Sequence, residues 1–167
     1  SGNLDVGTIR DAAGTNTAMT IDSTGRILTP ARPAFWATST GGTHTTNAGA
    51  VLDFDEVVIN KGSYYNASTY TFTAPVAGVY NFYFQIYESG NGTSAKSVAF
   101  QKNGSDYSPE DTAIAYQGGT NIGNHTLGSN ILMDLAVNDA IRIAVRTGSP
   151  NVQWYGGHSW FQGYLIG

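Results

Sequence analysis

Residues 79 to 87 alternate between two kinds of side chain with a period of two, the pattern of a β-strand with one buried face. Large apolar side chains on one face are predicted to lie in the core: Tyr80, Phe82, Phe84 and Ile86. The other face is semi-polar and is predicted to meet either solvent or a neighbouring subunit: Val79, Asn81, Tyr83, Gln85 and Tyr87. The segment therefore indicates a β-sheet protein with an aromatic core.

The rest of the chain repeats this short alternation between turns, and Gly, Asn, Thr and Ser recur too often for a long helix. The pattern predicts further strands at residues 33–38, 50–59, 69–74, 130–137, 140–146 and 159–166, and one through Val98 and Phe100. Asn103-Gly104 and Asn138-Asp139 are predicted turns, and residues 39–49, 88–96 and 147–158 are predicted loops. Many short strands separated by turns favour an all-β, jelly-roll β-sandwich.

Two regions are distinguished by their apolar content. Residues 1–32 are polar and Thr-rich, with short alternating pieces and a predicted turn at Ser23-Thr24-Gly25. This segment has too few apolar residues for a core of its own, so it is predicted to pack on neighbouring copies or on the next domain. Residues 33–167 have enough apolar residues for one domain.

Composition excludes several classes of function. Charged residues make up only 12% of the chain, so its polar surface consists mainly of Ser, Thr, Asn, Gln and Gly, as on many extracellular β-proteins and virion parts. The net charge of −4 argues against a nucleic-acid partner, which would favour a basic surface. The absence of cysteine excludes disulfides and thiolate chemistry. The sequence has no run of about 20 apolar residues, so no membrane-spanning helix is predicted.

A set of widely spaced residues then gives the chain a family resemblance. An aromatic, an Asn, an aromatic and a Phe precede a Gly-x-Tyr-x-Phe-x-aromatic run: Phe54, Asn60, Tyr65, Phe72, Gly78, Tyr80, Phe82 and Phe84. A strand ending in Lys102-Asn103-Gly104 and a closing strand with Phe161 and Gly163 follow in order. This pattern resembles C1q-like globular domains over residues 33–167. The resemblance implies the jelly roll of the C1q and tumour-necrosis-factor superfamily, assembled as a homotrimer.

The N-terminal segment has a second resemblance. The run Ile21-Asp22-Ser23-Thr24-Gly25-Arg26-Ile27 is similar to stalk segments of bacteriophage tail fibres that precede a globular tip. Together with the absence of cysteine and of a collagen repeat, it favours a virion protein of the tail or fibre, located outside the cell. The N-terminus is then expected to contact other virion proteins.

No catalytic residues are predicted, and the chain is not expected to be an enzyme. The three histidines, His44, His125 and His158, lack zinc-site spacing, and no nucleophile elbow or phosphate-binding loop is present. No cofactor is predicted, although Asp53 and Asp55 would share a face of the strand at 50–59 and could seat Ca²⁺ with backbone carbonyls. The alternative for this pair is a solvated strand face.

The predicted loops hold the candidate receptor-binding residues: Trp154, Tyr155, His158, His44 and Asn47. An exposed Trp or Tyr beside amides and imidazoles can stack on the apolar face of a pyranose while polar groups bond its hydroxyls. The alternative is that Trp154 and Tyr155 plug the end of the sandwich. The sequence thus favours a non-enzymatic, trimeric fibre or tail tip that recognises a host receptor, and a glycan is the favoured receptor class. A structural virion decoration or trimerisation cap, and a secreted C1q-like lectin, are the alternatives.

Overall fold

A computed structural model describes residues 7–90, 95–107, 114–117, 124–146 and 149–167. These residues form strands only: β1 Thr8–Arg10, β2 Thr17–Ile21, β3 Ile27–Leu28, β4 Ala34–Thr38, β5 Thr43–Thr46, β6 Glu56–Lys61, β7 Tyr65–Asn66, β8 Thr71–Thr73, β9 Gly78–Glu88, β10 Lys96–Lys102, β11 Ser105–Asp106, β12 Ile114–Gln117, β13 His125–Leu135, β14 Ala140–Val145 and β15 Val152–Leu165. None of the described residues belongs to a helix long and apolar enough to cross a membrane.

The strands make a sandwich of two antiparallel sheets and a separate N-terminal sheet. Sheet I has the order β13-β9-β15-β4-β6, with β5 paired to the N-terminal part of β15, from Val152 to Tyr155. Sheet II has the order β11-β10-β14-β8-β7, with β12 paired to β10. The predicted all-β jelly roll is confirmed, and the strands β1, β2 and β3 form the third, small sheet.

The core lies between sheets I and II and is largely aromatic. The predicted inward face of β9 is confirmed, since Tyr80, Phe82, Phe84 and Ile86 are all fully buried. Phe35 lies at the centre, with ring centroids 4.8 Å from Phe161. Offset and edge-to-face ring pairs of this kind add stabilisation beyond the area that they bury.

The polar residues of the family pattern hold β6 and β7 together at the edge of the core. The Asn60 side chain donates to the Tyr65 carbonyl (2.8 Å) and accepts from the Tyr65 amide (3.1 Å). The Tyr65 hydroxyl donates to the Phe54 carbonyl at 2.7 Å, and burial raises the pKa of this phenol. Gly163 fits because a Cβ there would lie 2.3 Å from the Phe82 ring. These residues therefore serve the scaffold.

Several predicted boundaries are wrong, among them that of the strand predicted at 130–137, which begins at His125. The strand predicted at 50–59 begins only at Glu56, because the amides of Phe54 and Asp55 bond the carbonyls two residues before them (3.1 and 3.0 Å) and form tight turns. The loop predicted at 147–158 is a strand from Val152 onward, paired with β5 and β9. The loop predicted at 39–49 contains β5, and residues 91–94 of the loop predicted at 88–96 lie outside the described residues.

Both predicted turns are confirmed, and a carboxylate links them. Asn103 and Gly104 take φ values of 53° and 85°, as a two-residue hairpin turn requires. The Asn103 side chain donates to Asp139 at 2.8 Å, and Lys102 pairs with the same carboxylate at 2.8 Å. The hydrogen bond from Lys102 and then that from Asn103 lower the pKa of Asp139.

The Asp139 network predicts an acid-sensitive contribution to stability. Because its folded-state pKa lies below the unfolded value of about 3.9, the contribution is present above that value and is lost as pH falls through the folded pKa. We expect Asp139→Asn to lower the free energy of unfolding by about 1 kcal/mol at pH 7, and by less at pH 3. Urea unfolding at both pH values measures this, with the exposed Asp134→Asn as control. Equal losses for Asp139→Asn at pH 7 and pH 3 would contradict it.

The N-terminal sheet has no core of its own. Its apolar side chains Ile9, Ile21, Ile27 and Leu28 are all exposed. The predicted turn at residues 23–25 is present, and Asp22 stabilises it by accepting the Thr24 amide (2.9 Å) and the Arg26 guanidinium (2.7 Å). Within the described ranges the three strands bond only one another as β-ladders.

Candidate functional site

Trp154, a predicted receptor-binding residue, is fully buried. Its indole N–H donates to the Thr46 hydroxyl at 2.9 Å, and its ring lies 5.4 Å from Phe54 between centroids. The prediction of an exposed Trp154 platform is wrong, because β15 continues through this residue and directs its side chain inward. Trp154 instead fills the end of the sandwich core, as the alternative interpretation of the sequence predicts.

A wide bulge interrupts β15 immediately after this residue. Tyr155 pairs with Tyr87, and the next pair along is Trp160 with Gln85, so four residues of β15 lie opposite one residue of β9. The buried Ser159 hydroxyl closes the bulge by accepting the Tyr87 amide (2.9 Å) and donating to the Tyr155 carbonyl (2.7 Å).

Gly156 anchors the bulge to the turn that precedes β5. Its amide donates to the Gly42 carbonyl at 2.9 Å. A Cβ at this position would lie 2.2 Å from the backbone oxygen of Thr40, so only glycine fits against this turn. The bulge is therefore a defined structure with several points of attachment.

The bulge brings two rings to the same face of sheet I. Tyr155 and His158 are three residues apart and would point to opposite faces of a regular strand. Here both are exposed, and their ring centroids lie 4.9 Å apart. His158 also makes an edge contact with Tyr87, with centroids 5.4 Å apart. We call Tyr87, Tyr155 and His158 the bulge cluster.

Uncharged polar side chains flank the bulge cluster on the neighbouring strands. On β5, Thr43 pairs with Tyr155 and Thr45 pairs with Gln153, and the exposed Thr43, Thr45 and Gln153 offer hydroxyl or amide groups to solvent. On β13, the exposed Thr126 pairs with Tyr87. Among the described residues, the positions that flank the cluster on β5, β15 and β13 are therefore uncharged and carry hydrogen-bonding groups.

His44 lies beneath this surface, and its ring stacks on Trp154 at 4.7 Å. Its Nδ1 is 3.0 Å from Asp53 Oδ2, its Nε2 is 3.0 Å from the Thr40 carbonyl, and Ser39 Oγ is 3.5 Å from Nε2. Serine, histidine and aspartate in this order resemble a hydrolase relay, but the Ser39 side chain is buried and the imidazole is closer to the Thr40 carbonyl. The group holds the turn before β5 in place.

The remaining candidates lie apart from the bulge cluster. Asn47 is exposed but follows the end of β5 that pairs with Val152, away from Tyr155. The Asp53 carboxylate bonds His44, and Asp55 accepts the Thr40 amide at 3.2 Å. The shared strand face predicted for these two aspartates is not formed. Among the described residues, no group of three acidic or histidine side chains is placed to hold a metal ion.

The central part of the outward face of sheet I carries no charged side chain. Three successive rows cross β13, β9 and β15: Leu132, Asn81 and Tyr164; Asn130, Tyr83 and Gln162; Gly128, Gln85 and Trp160. Leu132 is 58% exposed and Tyr164 is 46% exposed. The amides of Asn81 and Asn130 bond each other at 3.1 and 3.2 Å. We call these three rows the sheet I face; it is continuous with the bulge cluster.

The bulge cluster lies at the end of the sandwich opposite Pro33 and Gly167. At the other end, the Pro33 carbonyl accepts from Leu165, and the Gly167 carbonyl accepts from Val79. Tyr87 is eight residues further along β9, which is roughly 27 Å at about 3.4 Å per residue. The surface around the cluster thus lies at the end of the sandwich opposite Pro33, which follows the N-terminal segment.

Sequence reasoning missed how this site is built. The sequence does not mark Ser159 or Gly156 as candidates, and it places Tyr87 on a strand face predicted to meet either solvent or a neighbouring subunit. The available signal was the spacing of three between Tyr155 and His158 with two glycines between them, since glycine within a strand often marks a bulge.

Comparisons with known proteins agree with this architecture. Residues 34–166 match the model of the C1q domain family. The globular domain of a zebrafish complement 1qA protein aligns with a TM-score of 0.63 at 19% identity, covering 81% of this chain and 98% of that one. The Eiger TNF of S. frugiperda aligns with a TM-score of 0.62 at 12% identity, covering 81% and 93%. Murine APRIL aligns with a TM-score of 0.57 at 10% identity, covering 81% and 99%.

At these identities the solved structures establish the fold, whereas the family match extends over most of the sequence. The buried aromatic pattern, the Asn60 bridge and the two-sheet topology all lie within the matched residues. The chain therefore belongs to the C1q domain family.

Proposed function

We propose that this chain is a non-enzymatic binding module that forms a homotrimer at the tip of a virion fibre or tail and attaches it to a host-surface glycan. The observation that carries the assembly is the sheet I face. A folded monomer seldom leaves so broad an uncharged and partly aromatic surface open to water, and such a surface marks an interaction site.

A second exposed surface lies at the edge of the same sheet. Val57, Val58 and Ile59 of β6 are all between 43% and 50% exposed, and β6 is the last strand of sheet I. An apolar edge strand promotes association unless another surface covers it. A closed ring joins two different patches of each subunit, and the β6 edge and the sheet I face are two such patches.

The N-terminal sheet fits the same assembly. Its exposed isoleucines and Leu28 find no cover in a single chain, and parallel copies around a threefold axis would cover them. This segment would then connect the trimer to other virion proteins. The glycan-binding end would be the distal one, where the bulge cluster lies.

The trimer is tested by the solution mass of the protein. Light scattering is expected to give three times the chain mass of 17.7 kDa. Leu132→Glu is expected to give a monomer at micromolar concentration, because three buried carboxylates would be forced into an apolar contact. Leu132 is exposed in the single chain, so the subunit fold tolerates this change. Val137→Glu, in the turn after β13, is the matched control and should remain a trimer. A wild-type monomer would contradict the proposal.

The site of attachment separates the tip from its alternatives. A fibre tip binds host cells, whereas a decoration or a trimerisation cap binds capsid or tail proteins. A secreted C1q-like lectin would be encoded with a signal peptide in its full-length gene. Binding of the purified trimer to host cells, competed by free host polysaccharide, is the expected result, and binding only to virion proteins would favour the structural alternative.

A further inference from the structure

We propose that the bulge cluster is a saccharide-binding platform and that its ligand is a neutral hexopyranose. This inference rests on the proposed function and assigns its ligand contact to Tyr87, Tyr155 and His158.

The chain maintains the bulge at a structural cost. A regular β15 would keep its ladder with β9 unbroken, and His158 would point to the other face of the strand. Instead, Ser159 is buried and uses its hydroxyl in two bonds that replace ladder contacts, at 2.9 and 2.7 Å. Gly156 occupies a position where any side chain would meet the Thr40 backbone. Bulges commonly redirect a side chain beside a functional site.

The bulge produces an open aromatic surface. Gly157 lies next to the Tyr155 ring, where an added Cβ would be 3.1 Å from it, so no side chain beside the ring obstructs a flat ligand there. Tyr155 is 36% exposed, and the adjacent His158 ring is tilted by 47° to it. Two inclined rings form a shallow corner that matches the C–H face of one pyranose ring.

The side chains that surround the bulge cluster, which form its rim, are polar and uncharged at the four flanking positions. Thr43, Thr45, Gln153 and Thr126 place hydroxyls and an amide around the rings, and these groups bond sugar hydroxyls. A sialylated or sulfated sugar would need a lysine or arginine beside the rings, and these four flanking positions carry none. An apolar protein partner would leave the hydroxyls and the amide unpaired, at a cost in free energy. Neutral sugar is the ligand class that satisfies both the rings and the rim.

The position of the cluster suits weak sites used together. Three copies at the distal end of a trimer would contact one cell surface at once, so that affinity too weak for a single site still gives firm attachment.

The test is binding of the protein to an array of immobilised neutral and sialylated oligosaccharides, with solution mass measured for every variant. Wild type is expected to bind neutral oligosaccharides, and Tyr155→Ala to lose at least about tenfold in apparent affinity while keeping its mass. Tyr155→Phe, which keeps the ring, is expected to retain most of the binding. Val76→Ala, at an exposed position between β8 and β9 and outside the sheet I face, is the control and should keep both its mass and its binding.

Wild type that binds no neutral oligosaccharide, or Tyr155→Ala that binds as well as wild type, overturns the inference. A Tyr155→Ala protein that becomes a monomer shows that the cluster is a subunit contact, which also overturns it. A wild-type protein that is monomeric yet binds neutral sugars through Tyr155 contradicts the trimer and leaves this inference standing.

Discussion

Lys96→Met is expected to lower the free energy of unfolding by about 3–5 kcal/mol, because it leaves a buried carboxylate without its main counter-charge. Glu88 is fully buried, and its Oε1 is ion-paired with the Lys96 ammonium. Its Oε2 lies 3.3 Å from Nδ1 of His125. A carboxylate moved out of water in this way is tolerated only while its partners remain.

The double variant Glu88→Gln with Lys96→Met is the matched control. It removes both charges together, so its loss of stability should be clearly smaller than that of Lys96→Met alone. Denaturant unfolding of the three proteins at pH 7 measures the difference. A Lys96→Met protein as stable as the double variant would show that the carboxylate is not held by this lysine.

The location of this ion pair gives it a structural role beneath the proposed binding end. Glu88 is on β9 in sheet I, and Lys96 is on β10 in sheet II, so the pair links the two layers of the sandwich. Glu88 follows Tyr87 directly on β9, so the buried residue that links the two sheets is the immediate neighbour of an outward-facing member of the bulge cluster. The ion pair therefore holds the two sheets together at this end of the sandwich, and a preformed ligand surface requires such rigid support.

The sequence predicted the central part of the fold well because alternation in β9 is uninterrupted. Tyr80, Phe82, Phe84 and Ile86 face the core as expected, and the turns at Asn103-Gly104 and near Asn138 follow from residues that accept positive φ. Those signals are local, so no knowledge of neighbouring strands was needed to interpret them.

The binding end was harder to predict because its conformation depends on partners far away in the chain. Trp154 is two residues from glycines and looks like part of a loop, yet its burial is set by Thr46, 108 residues earlier. The bulge is likewise fixed by Tyr87, which is 72 residues before Ser159. Alternation cannot show a break whose cause is the register of another strand.

The strand prediction for the segment before β6 was wrong for a different reason. Leu52 and Phe54 are buried while Asp53 and Asp55 are not, so the sequence does alternate as a strand would. The tight turns at Phe54 and Asp55 nevertheless remove these residues from the β-ladder. The Asp53 carboxylate bonds His44, and the Asp55 carboxylate accepts the Thr40 amide. Alternating burial is therefore not sufficient evidence of strand pairing, or of two carboxylates converging on one ion.

Trp154→Ala is expected to destabilise the fold by about 3–5 kcal/mol, whereas Tyr155→Ala, one residue further along, should change stability by no more than about 1 kcal/mol. The difference follows from burial: the indole is enclosed between Phe54 and His44 and donates to Thr46, while the phenol of Tyr155 faces outward. Trp154→Phe keeps a ring in the cavity but lacks the N–H donor, so an intermediate loss is expected.

Denaturant unfolding of the three variants, combined with the glycan array, separates the two roles. Trp154→Phe should retain sugar binding in proportion to its folded fraction, because its side chain lies under the surface and holds the His44 ring. Tyr155→Ala should remain fully folded and lose binding. If Trp154→Ala were no less stable than Tyr155→Ala, the indole would not be a core residue, and the inward direction of β15 at this position, from which the geometry of the bulge cluster follows, would be wrong.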